Sequence, residues 1–255
     1  MQQEPFIFKK VRLEDKELME EVFRLRYQVY ALECNFIKPE DYPDRKESDH
    51  LDSQSVHFVA INKDNDVIGT LRMILLGEHP LPIQEHCPYL EAGKGLQSGT
   101  YAEISRLVIS KNLRRRKNDE LYYEPQVEDV NGRDAQNREF MRRAKPMAFG
   151  IYRELYQESK RRGITQWYSL MEKSLWLLLR LHGFKFEAIG DELDIYGPVR
   201  PYIGKIPIIE QEVYYRFQKF YSYFMENLEK EHQPIFTDAP TSSVLQKVND
   251  QKNHG

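Results

Sequence analysis

Two β-rich runs, VHFVAI (56–61) and VIGTLRMILL (67–76), are separated by the five polar residues NKDND. A short polar turn between two such runs predicts an antiparallel hairpin, and that hairpin puts a sheet at the centre of the chain. Upstream, PFIFKKVR (5–12) alternates as a first strand. Glu14 and Asp15 then open a helix to about Leu32, in which Leu18, Val22, Leu25, Val29 and Leu32 recur at helical spacing as one buried stripe. Arg26 borders that stripe, whereas Arg24 lies on the solvent side.

Downstream, a Pro-rich link (77–100) leads to a strand at 102–110. Residues 113–146 hold nine basic and seven acidic side chains with few aliphatics, the composition of a mobile insertion or surface loop. A helix follows over MAFGIYRELYQESKRR (147–162), with basic residues in its last turn and Gly163 as its stop. ITQWYSLM (164–171), EKSLWLLLRLHG (172–183) and FKFEAI (184–189) read as strand, helix and strand. LDIYGPV and KIPII read as two more extended pieces. A last helix after Glu210 carries Val213, Phe217, Phe220, Tyr221, Phe224 and Leu228 on one face, a stripe that suits core or dimer packing. The element order indicates an α/β (α+β) domain, with a mixed central sheet flanked by helices. We expect one domain over residues 1–233, including the charged insertion at about 113–146, and a disordered tail over 234–255.

Composition narrows the function classes. With 37 Lys+Arg against 40 Asp+Glu the net charge is -3, so nothing draws the whole chain toward nucleic acid or an acidic surface. Cys34 and Cys87 are too few for a disulfide framework, which points to a reducing, cytoplasmic compartment. LWLLL (175–179), the longest apolar run, stops at Arg180, far short of a membrane span. DHLD (49–52) lacks further ligands at metal-binding spacing. His86 and Cys87 in EHCP are adjacent residues, which rarely orient each other as a nucleophilic pair.

Against that background, YAEISRLVIS (101–110) stands out. It places Glu103 and Arg106 inside a strand, where charges are costly unless paired or functional. A regular strand sends residues three apart to opposite faces. Either Glu103 and Arg106 serve separate surfaces, or a β-bulge between them turns both toward one cleft. An unbroken ladder through Ile104 and Ser105 would argue against that placement. Taken alone, a Glu-x-x-Arg pair in a strand is more often structural than catalytic. Residues 33–54, with prolines, many acids and no period, read as a structured loop of the kind that carries function.

LRYQVYALE, ESDHLDSQSVHFVA, GTLRMI and AEISRLVIS, in that order, resemble the GCN5-related N-acyltransferases. More narrowly, they resemble the branch holding acyl-homoserine-lactone autoinducer synthases and N-acyl amino acid synthases. SRLVISKNLRRR and GPVRPYIGKIP look most like the acyltransferases of exosortase (PEP-CTERM) systems. The resemblance implies transfer of a fatty acyl group from a thioester on acyl carrier protein to an amine, with no tightly bound cofactor and no metal. It marks Arg26, Asp49, Asp52, Arg72, Glu103 and Arg106 as site residues, and because this fold carries a β-bulge on its fourth strand it implies one between Glu103 and Arg106.

For that chemistry Glu103 is the candidate proton acceptor, with Asp49 or Asp52 as runner-up. Arg26, Arg72 or Arg106 would hold the carboxylate of an amino-acid-like acceptor. Amides near Leu107 and Val108, where the fourth strand of this fold splays from the fifth, would hold the oxyanion. The phosphate-cradling loop that acetyl-CoA-using relatives carry after the fourth strand is replaced by RRRKNDE (114–120). This favours an acidic carrier protein, met by Arg114, Arg115, Arg116 and Lys117. Leu179 stands where relatives often have a catalytic tyrosine, and Phe36 where autoinducer synthases have a tryptophan. Alternatives are an acyl-CoA-dependent enzyme, a homoserine-lactone synthase using S-adenosylmethionine, or a non-catalytic acyl- or partner-binding module.

Overall fold

The computed structural model describes residues 6–12, 14–87, 100–110, 135–195 and 197–236, with only the backbone for 135–146. Its centre is an eight-stranded sheet. β1 (Ile7–Val11), β2 (Ser55–Ile61), β3 (Val67–Ile74), β4 (Tyr101–Ile109) and β5 (Gln166–Met171) lie side by side in chain order. β8 (Pro198–Lys205) follows, then β6 (Phe186–Ala188), while β7 (Leu193–Asp194) also pairs with β8. All neighbours are antiparallel except β4 and β5. That one parallel pair needs a crossover, and α3 (Ala135–Arg161) lies within it.

The expected hairpin is β2–β3, with the Asn62 side chain accepting from the amides of Asp64 and Asp66 in its turn. Every residue of β2 is buried, because helices cover both faces of the sheet. One face carries the main core. There Phe58, Leu71, Ile104 and Trp167 pack against Ile151, Tyr152 and Leu155 of α3. They also meet α5 (Ile206–Arg216) and α6 (Gln218–Met225). The other face is covered by α1 (Lys16–Tyr27), whose Met19 and Val22 pack on Val59 and Ile61. Beside α1 lie the 3-10 turn His50–Gln54 and the short α2 (Pro82–His86). α4 (Lys173–Leu181) follows β5.

Four expectations shift. α1 runs on into a π-helical turn, Gln28–Glu33, whose wider winding breaks the 3.6-residue phase. Leu25 and Val29 stay buried against Val108, but Leu32 is turned out, 58% exposed. KIPII is not a strand beyond Lys205. It opens α5, because Pro207 suits a first helical turn, where its missing N–H is no loss. The last helix therefore starts before Glu210 and breaks at Phe217, whose backbone is non-helical. Its aromatic stripe packs into the core on both sides of the break. Finally, α3 begins at Ala135, so the segment expected as an insertion ends in helix; residues 113–134 lie outside the described residues. At the C-terminus the described chain passes the expected boundary, since Phe236 stacks on Tyr214 at 4.3 Å. Residues 237–255 lie outside it.

Candidate active site

α1, the loop after it, β3 and β4 bring charged side chains together on the α1 face of the sheet. Arg26 is fully buried, while Arg24 is exposed and pairs with Glu20. Helical phase alone had separated the two. Arg26 donates to Glu47 through Nε and to Asp52 Oδ1 through Nη1 at 2.7 Å. Arg72, pointing from the same face of β3, donates through Nη1 to Asp52 Oδ1 at 2.9 Å and Asp49 Oδ1 at 2.6 Å. Its Nε donates to Ser105 Oγ at 3.0 Å. Arg106 reaches Glu47 Oε1 through Nη2 at 2.9 Å and Asp49 Oδ2 at 3.2 Å. Three arginines thus interleave with three carboxylates.

Local structure presents these groups. Asp49 caps the 3-10 turn and accepts from Leu51 N at 2.9 Å, while Asp52 returns a bond from Asp49 N at 2.8 Å. Burial alone would raise the Asp52 pKa, but Arg26 and Arg72 outweigh it and hold the carboxyl down at about 2. Glu47 and Asp49 are also lowered, against the opposing effect of burial. Beneath the network lies His57, with Nε2 3.6 Å from Asp52 Oδ1. Burial pushes it down to about 4, so it is neutral at neutral pH. Buried ion pairs gain little net stability once desolvation is counted. Six such residues at one place are therefore better explained by a task than by folding alone.

The expected bulge exists, but at a different place. Glu103, Ile104 and Ser105 pair in unbroken register with Ile74, Met73 and Arg72, and the shift comes between Ser105 and Val108. A ladder through Ile104 and Ser105 rules out a bulge between Glu103 and Arg106. The extra residue falls at Arg106–Leu107 instead, with Arg106 at φ 54°. That left-handed backbone turns Arg106 onto the face of Ser105 and Arg72, where its guanidinium lies 5.5 Å over the Tyr30 ring. Glu103 shares the face but not the network. It accepts from Ile83 N at 2.8 Å, and burial pushes its pKa up to about 8. On the other edge, β4 pairs with β5 only through Tyr101–Glu103. The strands part just beyond, where Ser169 Oγ donates to Ile104 O at 3.0 Å.

An eight-strand mixed sheet that parts between β4 and β5 is the frame on which this network sits. A family model described as acetyltransferase (GNAT) domain matches residues 25–124. Among solved structures, the AHL synthase LasI superposes with a TM-score of 0.56 at 18% identity, over 79% of this chain and 90% of that one. BjaI, a CoA-dependent acyl-homoserine lactone synthase solved with SAM and isopentyl-CoA, gives 0.59 at 17%, over 96% and 99%. FeeM, an N-acyl amino acid synthase from uncultured soil microbes, gives 0.50 at 12%, over 81% and 94%. The fold is that of the GNAT acyltransferases. By sequence, no curated protein matches the chain.

On this GNAT fold the chain carries an acyltransferase-type domain. The structure brings Arg26, Asp49, Asp52, Arg72 and Arg106 into one network and sets Glu103 beside it. Leu107 lies in the bulge, and Val108 pairs with Thr70 next to it. Leu179 is fully buried. Phe36 packs 6.1 Å from Tyr30. The expected docking residues Arg114, Arg115, Arg116 and Lys117 lie outside the described residues. Sequence reasoning missed Glu47, Ser105, His57 and Tyr30. Glu47 and His57 sit inside the quoted ESDHLDSQSVHFVA stretch, and the period-two face of β4 that holds Glu103 also holds Ser105. Among the described residues, no group of three His, Cys, Asp or Glu is placed to hold a metal, and no helix is long and apolar enough to cross a membrane.

Proposed function

We propose that the protein is a cytoplasmic N-acyltransferase, moving a fatty acyl group from a carrier-protein thioester to the amine of an amino-acid-like acceptor. One observation carries the acceptor. Within the network Arg106 and Asp49 are the partly exposed members, at 21% and 24%, and their Nη2 and Oδ2 atoms are 3.2 Å apart. A cation beside a carboxylate complements a zwitterion: Arg106 takes the acceptor carboxylate and Asp49 the amino group.

Residues 1–233 would act as a single catalytic unit. An acceptor carboxylate on Arg106 draws that guanidinium from Asp49, whose basicity then rises. Asp49 takes a proton from the ammonium, directly or through water. The free amine attacks the thioester carbonyl, and amides at the Leu107 bulge and Val108 hold the oxyanion. Collapse expels the carrier thiolate, and the attacking nitrogen gives its second proton to water as the amide forms. That thiolate takes a proton from water, because Leu179 has none to give. Arg26, Arg72, Glu47 and Asp52 hold the two working groups in place.

The carrier-protein donor rests on RRRKNDE, which stands where relatives have a phosphate-cradling loop. The likeness to exosortase-associated enzymes rests on SRLVISKNLRRR and GPVRPYIGKIP. The test is thiol release and mass spectrometry with acyl carrier protein or acyl-CoA as donor, against amino acids and S-adenosylmethionine as acceptors. We expect an N-acyl amino acid from the carrier donor and a loss of about 100-fold in Asp49→Asn. Absence of thiol release with every donor and acceptor would overturn the reading.

A further inference from the structure

Glu103 is the last rung of the β4–β5 ladder, flanked by Ile74 on β3 and Tyr168 on β5. It is 2% exposed. Ile74 and Tyr168 belong to an apolar cluster with Leu51, Leu81, Ile83 and Cys87, so the carboxyl ends in a hydrophobic wall rather than in the charged network. Its Oε2 accepts from Ile83 N, an amide in the first turn of α2. First-turn amides have no intrahelical partner, so Glu103 supplies one that the helix itself lacks. The Gln84 side chain accepts from Leu81 N at 2.8 Å, and Gln54 exchanges bonds with the His79 backbone just upstream.

We infer that Glu103 is a positioning residue rather than the proton acceptor: its carboxyl clips α2 onto β4 at the point where β4 and β5 part. Ile83 and Leu51 share one buried cluster, and Leu51 follows Asp49 in the 3-10 turn, where its amide is bonded to the Asp49 side chain. The clip therefore sets the turn that presents Asp49. A carboxyl in this apolar wall is protonated at neutral pH. It bonds one amide without carrying a charge into the core, which suits a clip better than a base. The proposal rests on the acyl-transfer reading for its kinetic consequence, but not for the clip itself.

Two measurements on the full chain decide it. Amide hydrogen exchange at Ile83 should remain slow in Glu103→Gln, whose side-chain oxygen still accepts, and become about tenfold faster in Glu103→Ala. In the thiol-release assay Glu103→Gln should stay within about threefold of the parent with an unchanged pH profile, while Glu103→Ala raises the acceptor KM more than it lowers kcat. Glu103→Asp, one methylene shorter, serves if alanine does not fold. A loss of about 100-fold in Glu103→Gln with Ile83 still protected would make Glu103 the base and overturn the proposal. So would unchanged Ile83 exchange in Glu103→Ala. If the parent transfers no acyl group at all, the functional reading fails, and Ile83 exchange still decides the clip.

Discussion

Arg106 donates to Glu47 Oε1 from both Nε, at 3.1 Å, and Nη2, at 2.9 Å. On its other oxygen Glu47 accepts from the fully buried Arg26. One carboxylate thus bridges two guanidinium groups from different elements. Removing it leaves charge uncompensated in the interior. Glu47→Ala should cost about 3–5 kcal/mol in urea unfolding. Glu47→Gln keeps the shape and should cost less. A Glu47→Ala protein with an unchanged urea midpoint would mean that water or another acid replaces the pair.

Stability should depend on pH through two buried groups that act in opposite directions. The folded pKa of Glu103 is raised from 4.5 to about 8. Its contribution is full below 4.5 and is lost as pH rises through 8. His57 is depressed from 6.5 to about 4. Its contribution is full above 6.5 and is lost as pH falls through 4. Between 4.5 and 6.5 the two slopes oppose, each at most about 1.4 kcal/mol per pH unit. Stability should therefore be nearly flat there and fall between 6.5 and 8. Glu103→Gln should reverse that: a rise from 4.5 to 6.5, then a plateau. Urea midpoints at these three pH values measure it, and an alkaline decline unchanged in Glu103→Gln would sink the assignment.

Which of these groups a sequence reveals depends on whether local geometry fixes their direction. The β2–β3 hairpin was legible because a polar turn separates two β-rich runs, and Arg26 because helical phase sets its angle to the buried stripe. Asp49 and Asp52 came from family likeness rather than from pattern. Glu47 was hidden because it lies in an aperiodic loop, where only the approach of Arg26 and Arg106 distinguishes an inward acid from the outward ones around it. The bulge was misplaced because its left-handed residue is an arginine, so no glycine marks it. KIPII read as a strand because isoleucines favour sheets, while the proline that starts α5 carries little weight in a pattern count.

Gly150 offers a test of how β1 is seated. A Cβ at this position of α3 would fall 2.2 Å from Phe8 Cζ. Alanine in a helix interior ordinarily gains about 1 kcal/mol over glycine. Here we expect a net loss of about 1–3 kcal/mol from overpacking. Phe8→Ala should restore the ordinary gain, so that the double variant is more stable than the sum of the single changes predicts. Additive effects would mean that Phe8 moves aside without cost.

The left-handed backbone of Arg106 makes an unusual order of stability. In a strand, glycine is ordinarily worse than alanine by about 0.5–1 kcal/mol. At φ 54° a residue with a Cβ carries a penalty of roughly 1–2 kcal/mol, which glycine does not. Arg106→Ala and Arg106→Gly remove the same guanidinium, so the loss of Glu47, Asp49 and Tyr30 contacts cancels between them. The difference reports the backbone alone. Arg106→Gly should be the more stable of the two by about 1 kcal/mol in urea unfolding. Both should raise the acceptor KM, since neither can hold a carboxylate. If alanine is instead the more stable, the chain at 106 has returned to ordinary strand geometry. The bulge would then depend on the arginine that Glu47 and Asp49 hold, and not on the β3–β4 register.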